Sequence, residues 1–287
     1  MVSNSFLGLT TALLLALATS VKADYNINQL PHTTDSAHGQ AGVNDCVKTY
    51  GESNPKAKCQ TAVINSVTDF CLWAPQYSAS IGDRERDVVA YCTKSGYGTR
   101  LIPKGTIKGA QFRKTPSFVQ VTGLCDCTKI NVAPGDEGGE LDPHGADGSG
   151  NPVGGLVFTN AYGSNPQDYI QLKEWSSFIG YNEFSFRGCR DGPNAANLCP
   201  HIYDEQGAQW NHPGKYEPGT FENCDATDGK FPGVYKGQRW YQGQTPIPGP
   251  HKAGVTSNCQ EFKAKDLRGK SPGAPSLLRR ALFGKAE

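Results

Sequence analysis

The sequence predicts an α+β protein, mainly β, with an antiparallel β-sandwich or open barrel flanked by short helices and stabilised by disulfides. Between positions 87 and 159, six short segments rich in β-branched and aromatic residues alternate with turn signals. Glycine (34) and proline (19) are frequent among the 287 residues, which favours many turns over a helical bundle. Ten cysteines, an even number, favour a disulfide framework.

The N-terminal segment predicts a signal peptide over residues 1–23. Its apolar run from Leu7 to Val21 is interrupted by serine and threonine, whereas a membrane span needs about 20 apolar residues. Small residues allow cleavage after Ala23, with Ser20 as the alternative. No second apolar segment of that length follows, so we expect a secreted chain without a transmembrane segment in its mature form.

All ten cysteines follow this segment, and the sequence lacks the Cys-x-x-Cys pairs of zinc sites. Their pairing stays open at this point. Cys125 and Cys127 would point to the same face of one strand, which predicts bonds to different partners. The predicted disulfide cysteines are Cys46, Cys59, Cys71, Cys92, Cys125, Cys127, Cys189, Cys199, Cys224 and Cys259.

The first predicted element is a helix that begins at Asn54-Pro55 and carries apolar residues and cysteines four apart, up to Cys71. A second helix is predicted from Asn165-Pro166, with Leu172, Trp175, Phe178 and Ile179 on its buried face. Residues 186–224 are expected to be loop-like. The six predicted strands are Asp87–Tyr91, Tyr97–Ile102, Thr106–Phe112, Ser117–Thr122, Thr128–Val132 and Gly155–Thr159.

Composition divides the chain further. Residues 24–43 are expected to form an extended arm and residues 44–241 the disulfide-rich β domain. Residues 242–258 form a predicted Pro/Gly linker, and residues 259–287 a basic, disordered tail. The last 28 residues carry seven Lys/Arg and three Asp/Glu, whereas residues 24–259 carry 20 and 24. A mildly acidic domain with a short basic tail excludes a nucleic-acid-binding protein.

The glycine-rich acidic segment 135–151 is the candidate metal site. Hard cations such as calcium bind several oxygen ligands on a flexible loop, and the candidate ligands are Glu140, Asp142, His144 and Asp147. EF-hand spacing is absent, so the alternative is a long turn whose Asp and Asn side chains bond their own backbone. No other cofactor is predicted.

Arg239, Trp240 and Tyr241 form the candidate binding site, for a glycan or a protein partner, because exposed aromatic faces with polar groups can stack on sugars. The alternative is burial, which we expect for Trp73, Trp175 and Trp210.

Signatures of catalysis are missing. The chain has no Gly-x-Ser-x-Gly elbow, phosphate loop or dinucleotide fingerprint, and its histidines lack the His-Glu-x-x-His spacing. His201 and Asp204 could form an imidazole–carboxylate pair, but no nucleophile lies near them in the sequence. Paired carboxylates for sugar hydrolysis cannot be placed across a cleft from sequence. We therefore predict no catalytic residues.

Several segments resemble the secreted fungal macrophage-activating glycoproteins of basidiomycete type. They include Cys71-Leu72-Trp73-Ala74-Pro75, the run from Tyr91 to Arg100, and above all the run from Gly139 to Gly148. The resemblance covers roughly residues 44–225. It implies a secreted or cell-wall protein and carries no catalytic residues. Many relatives have a Ser/Thr-rich extension where this chain has its basic tail, which favours a released protein over a wall anchor.

Two functional hypotheses follow. The first is a monomeric, non-enzymatic interaction protein, an effector or surface antigen that acts on host proteins or host immunity in virulence. The second is a cell-wall or glycan-binding protein, and less so a carbohydrate-active enzyme. Both place the protein outside the cell, in the wall or delivered to a host cell.

Overall fold

The computed structural model describes residues 25–26, 30 and 34–271. The predicted signal peptide and residues 272–287 of the predicted tail lie outside the described residues. The sixteen described strands are β1 Tyr25–Asn26, β2 Thr61–Ser66, β3 Asp69–Ala74, β4 Val89–Cys92, β5 Arg100–Leu101, β6 Ile107–Lys114, β7 Phe118–Cys125, β8 Gly139–Leu141, β9 Leu156–Thr159, β10 Asp168–Gln171, β11 Glu174–Ile179, β12 Glu183–Cys189, β13 Phe221–Ala226, β14 Val234–Tyr235, β15 Gln238–Arg239 and β16 Thr256–Glu261.

Helices in the described part of the chain are short. The α-helices are α1 Cys46–Tyr50, α2 Ile81–Arg84, α3 Ala195–Leu198 and α4 Gly207–Asn211. The 3-10 turns are Ser36–His38, Glu85–Asp87, Cys127–Ile130, Asp204–Gln206 and Ala264–Leu267. None of the described helices has the length and apolarity needed to cross a bilayer.

Two seven-stranded sheets form the domain, in the orders β1-β10-β9-β2-β3-β4-β5 and β16-β13-β6-β7-β12-β11-β8. Most neighbours are antiparallel; β2–β9, β4–β5 and β6–β13 are parallel. The sheets face each other through aromatic side chains: Phe70 stacks on Phe184 at 5.8 Å, and Trp73 lies 6.1 Å from Trp175. The mainly β fold with short flanking helices is confirmed, as an open sandwich without a closed barrel.

The outer face of the second sheet is buried as well. Val119 and Val121 point into the core, whereas Gln120 and Thr122 alternate with them and point outward. Gln120 donates to the carbonyl of Pro213 and Thr122 to that of Lys215. The segment that joins β12 to β13 therefore crosses this face and accepts hydrogen bonds from two of its polar side chains.

Both long predicted helices are wrong. Residues 61–74 form the hairpin β2–β3, and residues 168–179 form β10 and β11. The strands β3 and β11 are buried on both faces, so their apolar residues show no two-residue period. Val63 and Val67 lie four residues apart, a spacing that also occurs on one face of a helix, and this spacing led to the wrong prediction.

Four predicted strands overlap β4, β6, β7 and β9, and Arg100–Leu101 is the only strand within Tyr97–Ile102. The segment Thr128–Val132 is not a strand: its first three residues belong to the 3-10 turn Cys127–Ile130. Cys127 bonds Cys125, two residues away, so the prediction of different partners for these cysteines is wrong. The predicted loop region 186–224 contains most of β12 and the start of β13.

The disulfide framework is confirmed, and all ten cysteines are paired. The bridges are Cys46–Cys59, Cys71–Cys92, Cys125–Cys127, Cys189–Cys199 and Cys224–Cys259. The last bridge joins β13 to β16. The strand β16 contains the expected junction of linker and tail. The chain up to Ser271, which is buried, thus belongs to the fold.

Candidate functional site

The acidic segment 135–151 contains the strand β8 and continues as an ordered loop over residues 142–151. The ends of this loop are joined by a bridge between Asp142 and Asn151, whose backbone groups exchange hydrogen bonds of 3.0 and 2.8 Å. Asp142 Oδ1 accepts hydrogen bonds from the amides of His144 (2.7 Å) and Gly145 (2.8 Å). The side chain of Asp142 thus holds its own backbone, as the turn alternative expected.

The four predicted metal ligands point in different directions. Asp147 pairs with Arg86 at 3.0 Å and accepts a hydrogen bond from the Ser149 amide, and these contacts with Ser149 and Arg86 lower the pKa of Asp147. Glu140 is buried on β8 beside Asp204. Among the described residues, none of the groups of ligand atoms within 4.8 Å of one another contains Glu140, Asp142 or Asp147. The calcium site on these four residues stays a prediction, and their ligand atoms do not converge on one point in the structure.

His144 belongs to a different cluster, with Glu174 and His201. Its Nε2 lies 3.1 Å from Glu174 Oε2, and its ring stacks on that of His201 with centroids 4.1 Å apart. The ligand atoms of the three side chains lie within 4.8 Å of one another, and all three residues are half-buried. Burial and the charge of His144 lower the pKa of His201. Sequence reasoning missed Glu174, which lies at the start of a strand that had been predicted as a helix.

A pair of carboxyl groups lies beside this cluster. Burial, the hydrogen bond with Asp204 and the charges of Asp204 and Asp142 hold the pKa of Glu140 well above its usual range. This shift favours a proton held between Glu140 and the Asp204 carboxylate. Glu85, hydrogen-bonded to Asn151, also has a raised pKa, because burial and Asp142 disfavour its charge.

Asp204 also lines a cleft of about 560 Å³. Residues 137–139, 178–183 and 204–208 form its walls, with the carboxylates of Glu137, Glu183 and Glu205 among them. The predicted His201–Asp204 pair is electrostatic, without a hydrogen bond between the two side chains. A cleft with several carboxylates favours cationic or hydroxyl-rich ligands over anions.

Three aromatic rings pack beside the cleft. Tyr203 lies 4.9 Å from Trp210 and 5.8 Å from Trp240, and the two indoles are 5.6 Å apart. Tyr203 and Trp210 are buried, and Trp240 is half-buried. Of the predicted binding residues, Arg239 donates to Tyr203 Oη (3.1 Å) and Asn197 Oδ1 (2.6 Å). Tyr241 is the exposed member, with 54% of its surface accessible.

Residues 234–255, here called the strap, include most of the predicted linker and are held to the domain. Trp210 Nε1 donates to the carbonyl of Pro248 (2.8 Å), and within the strap the hydroxyl of Tyr235 donates to the carbonyl of Gly249 (2.6 Å). Arg113 donates to the carbonyl of Gly254 (2.7 Å). The strap nevertheless exposes Tyr241, Ile247 (61%) and Val255 (75%).

Comparison with known proteins gives two curated relatives. The chain is 56% identical over 252 residues to the appressorium protein ROW2 of Mycosarcoma maydis, covering 87% of this chain and 86% of that protein. It is 46% identical over 251 residues to the appressorium protein ROW1 of the same fungus, covering 83% of this chain and 58% of that protein. No protein-family model and no solved structure matches the chain.

Proposed function

Because the chain belongs to the family of the appressorium proteins ROW1 and ROW2, we propose that it is a secreted fungal protein that acts at the appressorium by binding a partner outside the cell. An appressorium is the cell with which a fungus penetrates a surface. The predicted signal peptide and the five disulfides support export to an oxidising compartment. In this proposal the protein is an effector or surface antigen and catalyses no reaction.

The observation that carries a binding role is the exposure of apolar side chains on an ordered strap. Single exposed apolar residues are ordinary, but Tyr241, Ile247 and Val255 follow within 15 residues on one segment. Hydrogen bonds and three prolines fix the strap before any partner arrives, so binding loses little conformational entropy. Ordered aromatic and aliphatic side chains are the usual anchors of protein interfaces.

Charge indicates the kind of partner. The strap carries Lys236, Arg239 and Lys252 and no aspartate or glutamate, so its net charge is +3, whereas the cleft beside it is lined by carboxylates. A basic apolar surface is complementary to an acidic apolar one. We therefore propose a protein with an acidic surface as the partner, and a host protein is the partner that the appressorium context favours.

A glycan is the second candidate, because Trp240 presents a half-buried ring beside the exposed Tyr241. Aromatic faces of this kind can stack on sugar rings. Trp240 Nε1 already donates to the carbonyl of Gln244 (3.2 Å), and its ring is stacked on Tyr203, which leaves less of the indole for a sugar. This contact favours the protein partner.

The test replaces ROW2 in Mycosarcoma maydis by this chain and follows a tagged copy. We expect the protein in the medium and at appressoria, with its N-terminus at Asp24. A Tyr241→Ser/Ile247→Ser double variant should be secreted in the same amount as the wild type. It should no longer cross-link to the protein that the wild-type chain contacts at the appressorium. A Tyr77→Ser variant, in which an aromatic exposed to 55% is changed outside the strap, is the matched control.

The same preparations are passed over chitin and β-glucan. If the chain is retained on chitin or β-glucan and Trp240→Ala abolishes this retention, the partner is a glycan and not a protein. Retention of the chain inside the cell, or cross-linking that is unchanged in the double variant, would contradict the proposal.

A further inference from the structure

We propose that His144, Glu174 and His201 form a binding site for a divalent transition-metal cation, with zinc as the best match. Two imidazoles and one carboxylate suit zinc and its neighbours better than calcium or magnesium, which prefer oxygen ligands. Ligands about 2.1 Å from a tetrahedral zinc lie about 3.4 Å apart. The three ligand atoms already lie within 4.8 Å of one another, and rotation of the two stacked imidazoles would bring them to one centre.

A disulfide places two of the three ligands together. Glu174 lies directly opposite Cys189 in the antiparallel pair β11–β12. Cys189 is bonded to Cys199, and His201 follows two residues later. The bridge thus fixes the start of the segment that carries His201 against the strand that carries Glu174, before any ion binds.

The third ligand is fixed by the acidic loop. Leu141, at the end of β8, pairs with Ser177 of β11, so the loop leaves the sheet beside the strand of Glu174. Three residues after Leu141, the amide of His144 donates to Asp142 Oδ1. This short turn aims the imidazole at Glu174, with Nε2 and Oε2 3.1 Å apart. All three ligands therefore lie on supports that exist without the metal, as a preorganised site requires.

An unsatisfied nitrogen is the second, independent observation. His201 Nδ1 is buried and has no hydrogen-bond partner among the described residues, and a buried polar atom of that kind calls for an explanation. A cation bound at the cluster would satisfy a ring nitrogen of this histidine. Asp142 and Asp204 lie close enough to His201 to interact with it electrostatically, and their negative charge favours a bound cation.

Three protein ligands leave one position of a tetrahedral ion open. His144 keeps 42% of its side-chain surface accessible and Glu174 25%, so this position faces solvent. Water or a donor group of a partner could complete the coordination. None of the three ligands belongs to the strap, so metal binding and partner binding are tested with different variants.

The experiment uses the purified full chain, stripped with EDTA, and titrates zinc by calorimetry and cobalt by its visible absorption. We expect one ion per chain and, for cobalt, the intense absorption of a tetrahedral site. In His144→Gln/His201→Gln the zinc affinity should fall at least 100-fold. Glu174→Gln, which keeps the size of the side chain, should lower it at least tenfold.

His251→Gln is the matched control, since His251 contacts Val234 and Tyr235 in the strap, and its zinc affinity should equal that of the wild type. Circular dichroism shows whether each variant is folded. Wild-type chain that binds no zinc below millimolar concentration would overturn the proposal, as would unchanged affinity in the folded double variant. Calcium binding that is lost in Asp142→Asn/Asp147→Asn but kept in the double histidine variant would show that the metal site lies on the acidic loop and not at the two histidines.

Discussion

The indole ring of Trp240 stacks on the phenol ring of Tyr203, with centroids 5.8 Å apart and ring planes inclined by 20°. The hydroxyl of Tyr203 donates to the backbone carbonyl of Trp240 (2.9 Å), so one buried tyrosine holds both the side chain and the main chain of the strap. Gly233, at φ +72°, makes this approach feasible, because a Cβ there would lie 2.0 Å from Tyr203 Oη. Tyr203 is thus the principal anchor of the strap.

Trp240→Ala should therefore loosen the strap as well as remove buried surface. Fully buried Trp→Ala substitutions cost about 3–5 kcal/mol, and for this half-buried ring we expect about 1–3 kcal/mol of unfolding free energy. Denaturant titration measures the loss, and limited proteolysis should cut the variant within residues 241–255. Tyr77→Ala should change stability by less than about 0.5 kcal/mol. If Trp240→Ala were as stable as the wild type and as resistant to proteolysis, the ring would not anchor the strap.

The sequence predicted the class of this fold better than its elements. Turn signals and β-rich composition identified β6 and β7, and in both strands one face lies in the core while the other carries polar residues such as Gln111 and Thr122. The strands β3 and β11 lack this alternation, since they carry apolar side chains on both faces, and a run such as Trp175–Ile179 is then as compatible with a helix. To distinguish such strands from helices, one must know what covers the outer face of the sheet.

The candidate site was predicted only in part for a similar reason. His144 and Asp142 lie in a conspicuous acidic run, but Glu174 is a single acidic residue 30 positions later. It reaches His144 because β8 pairs with β11, and His201 reaches both through the Cys189–Cys199 bridge. Strand order and disulfide pairing are long-range properties, and the ten cysteines alone do not determine them.

The Cys224–Cys259 bridge should be the main stabiliser of the C-terminal segment. It closes a separation of 35 residues, and the loop-entropy relation gives about 4 kcal/mol for a loop of that length. Replacing both cysteines by serine should lower the unfolding free energy by several kcal/mol. We also expect faster amide exchange in Thr256–Glu261, because β16 pairs with β13 alone.

Cys125–Cys127 is the control for this prediction. Its separation is two residues, for which the same relation gives about 1 kcal/mol. The double serine variant of this pair should therefore lose much less stability. Equal losses in the two variants would mean that native packing around the sulfurs, and not restriction of the unfolded chain, determines the effect.

His212 should make stability fall in mild acid. The ring is completely buried between Ser176 Oγ (2.9 Å) and Ser185 Oγ (2.8 Å), and burial, followed by the charge of Arg187, holds the pKa of His212 well below its usual value. The unfolded chain binds a proton below about pH 6.5 and the folded chain does not. This contribution is therefore fully present above pH 6.5 and is lost as pH falls toward the folded-state pKa.

Urea denaturation from pH 8 to pH 4.5 tests this dependence. His212→Asn should be less stable than the wild type at pH 8, because the serine hydroxyls lose a partner, by about 1–3 kcal/mol. Its stability should depend less on pH below 6.5. His38→Asn, at an exposed histidine, should keep the wild-type profile. A profile of His212→Asn that runs parallel to the wild type would assign the acid sensitivity to other groups.

Glu140 should have the opposite pH dependence. Because its pKa is raised in the folded chain, the folded state holds a proton that the unfolded chain releases above about pH 4.3. The stabilisation is thus fully present below that pH and is lost as pH rises through the folded-state pKa. Glu140→Gln keeps a donor toward Asp204 and cannot ionise, so its stability relative to the wild type should increase as pH rises from about 4.3 toward the folded-state pKa and then level off. Glu205→Gln, an exposed carboxylate in the same cleft, should leave the profile unchanged. A Glu140→Gln variant that loses stability equally at every pH would show that Glu140 is ionised in the folded protein and that Asp204 does not share its proton.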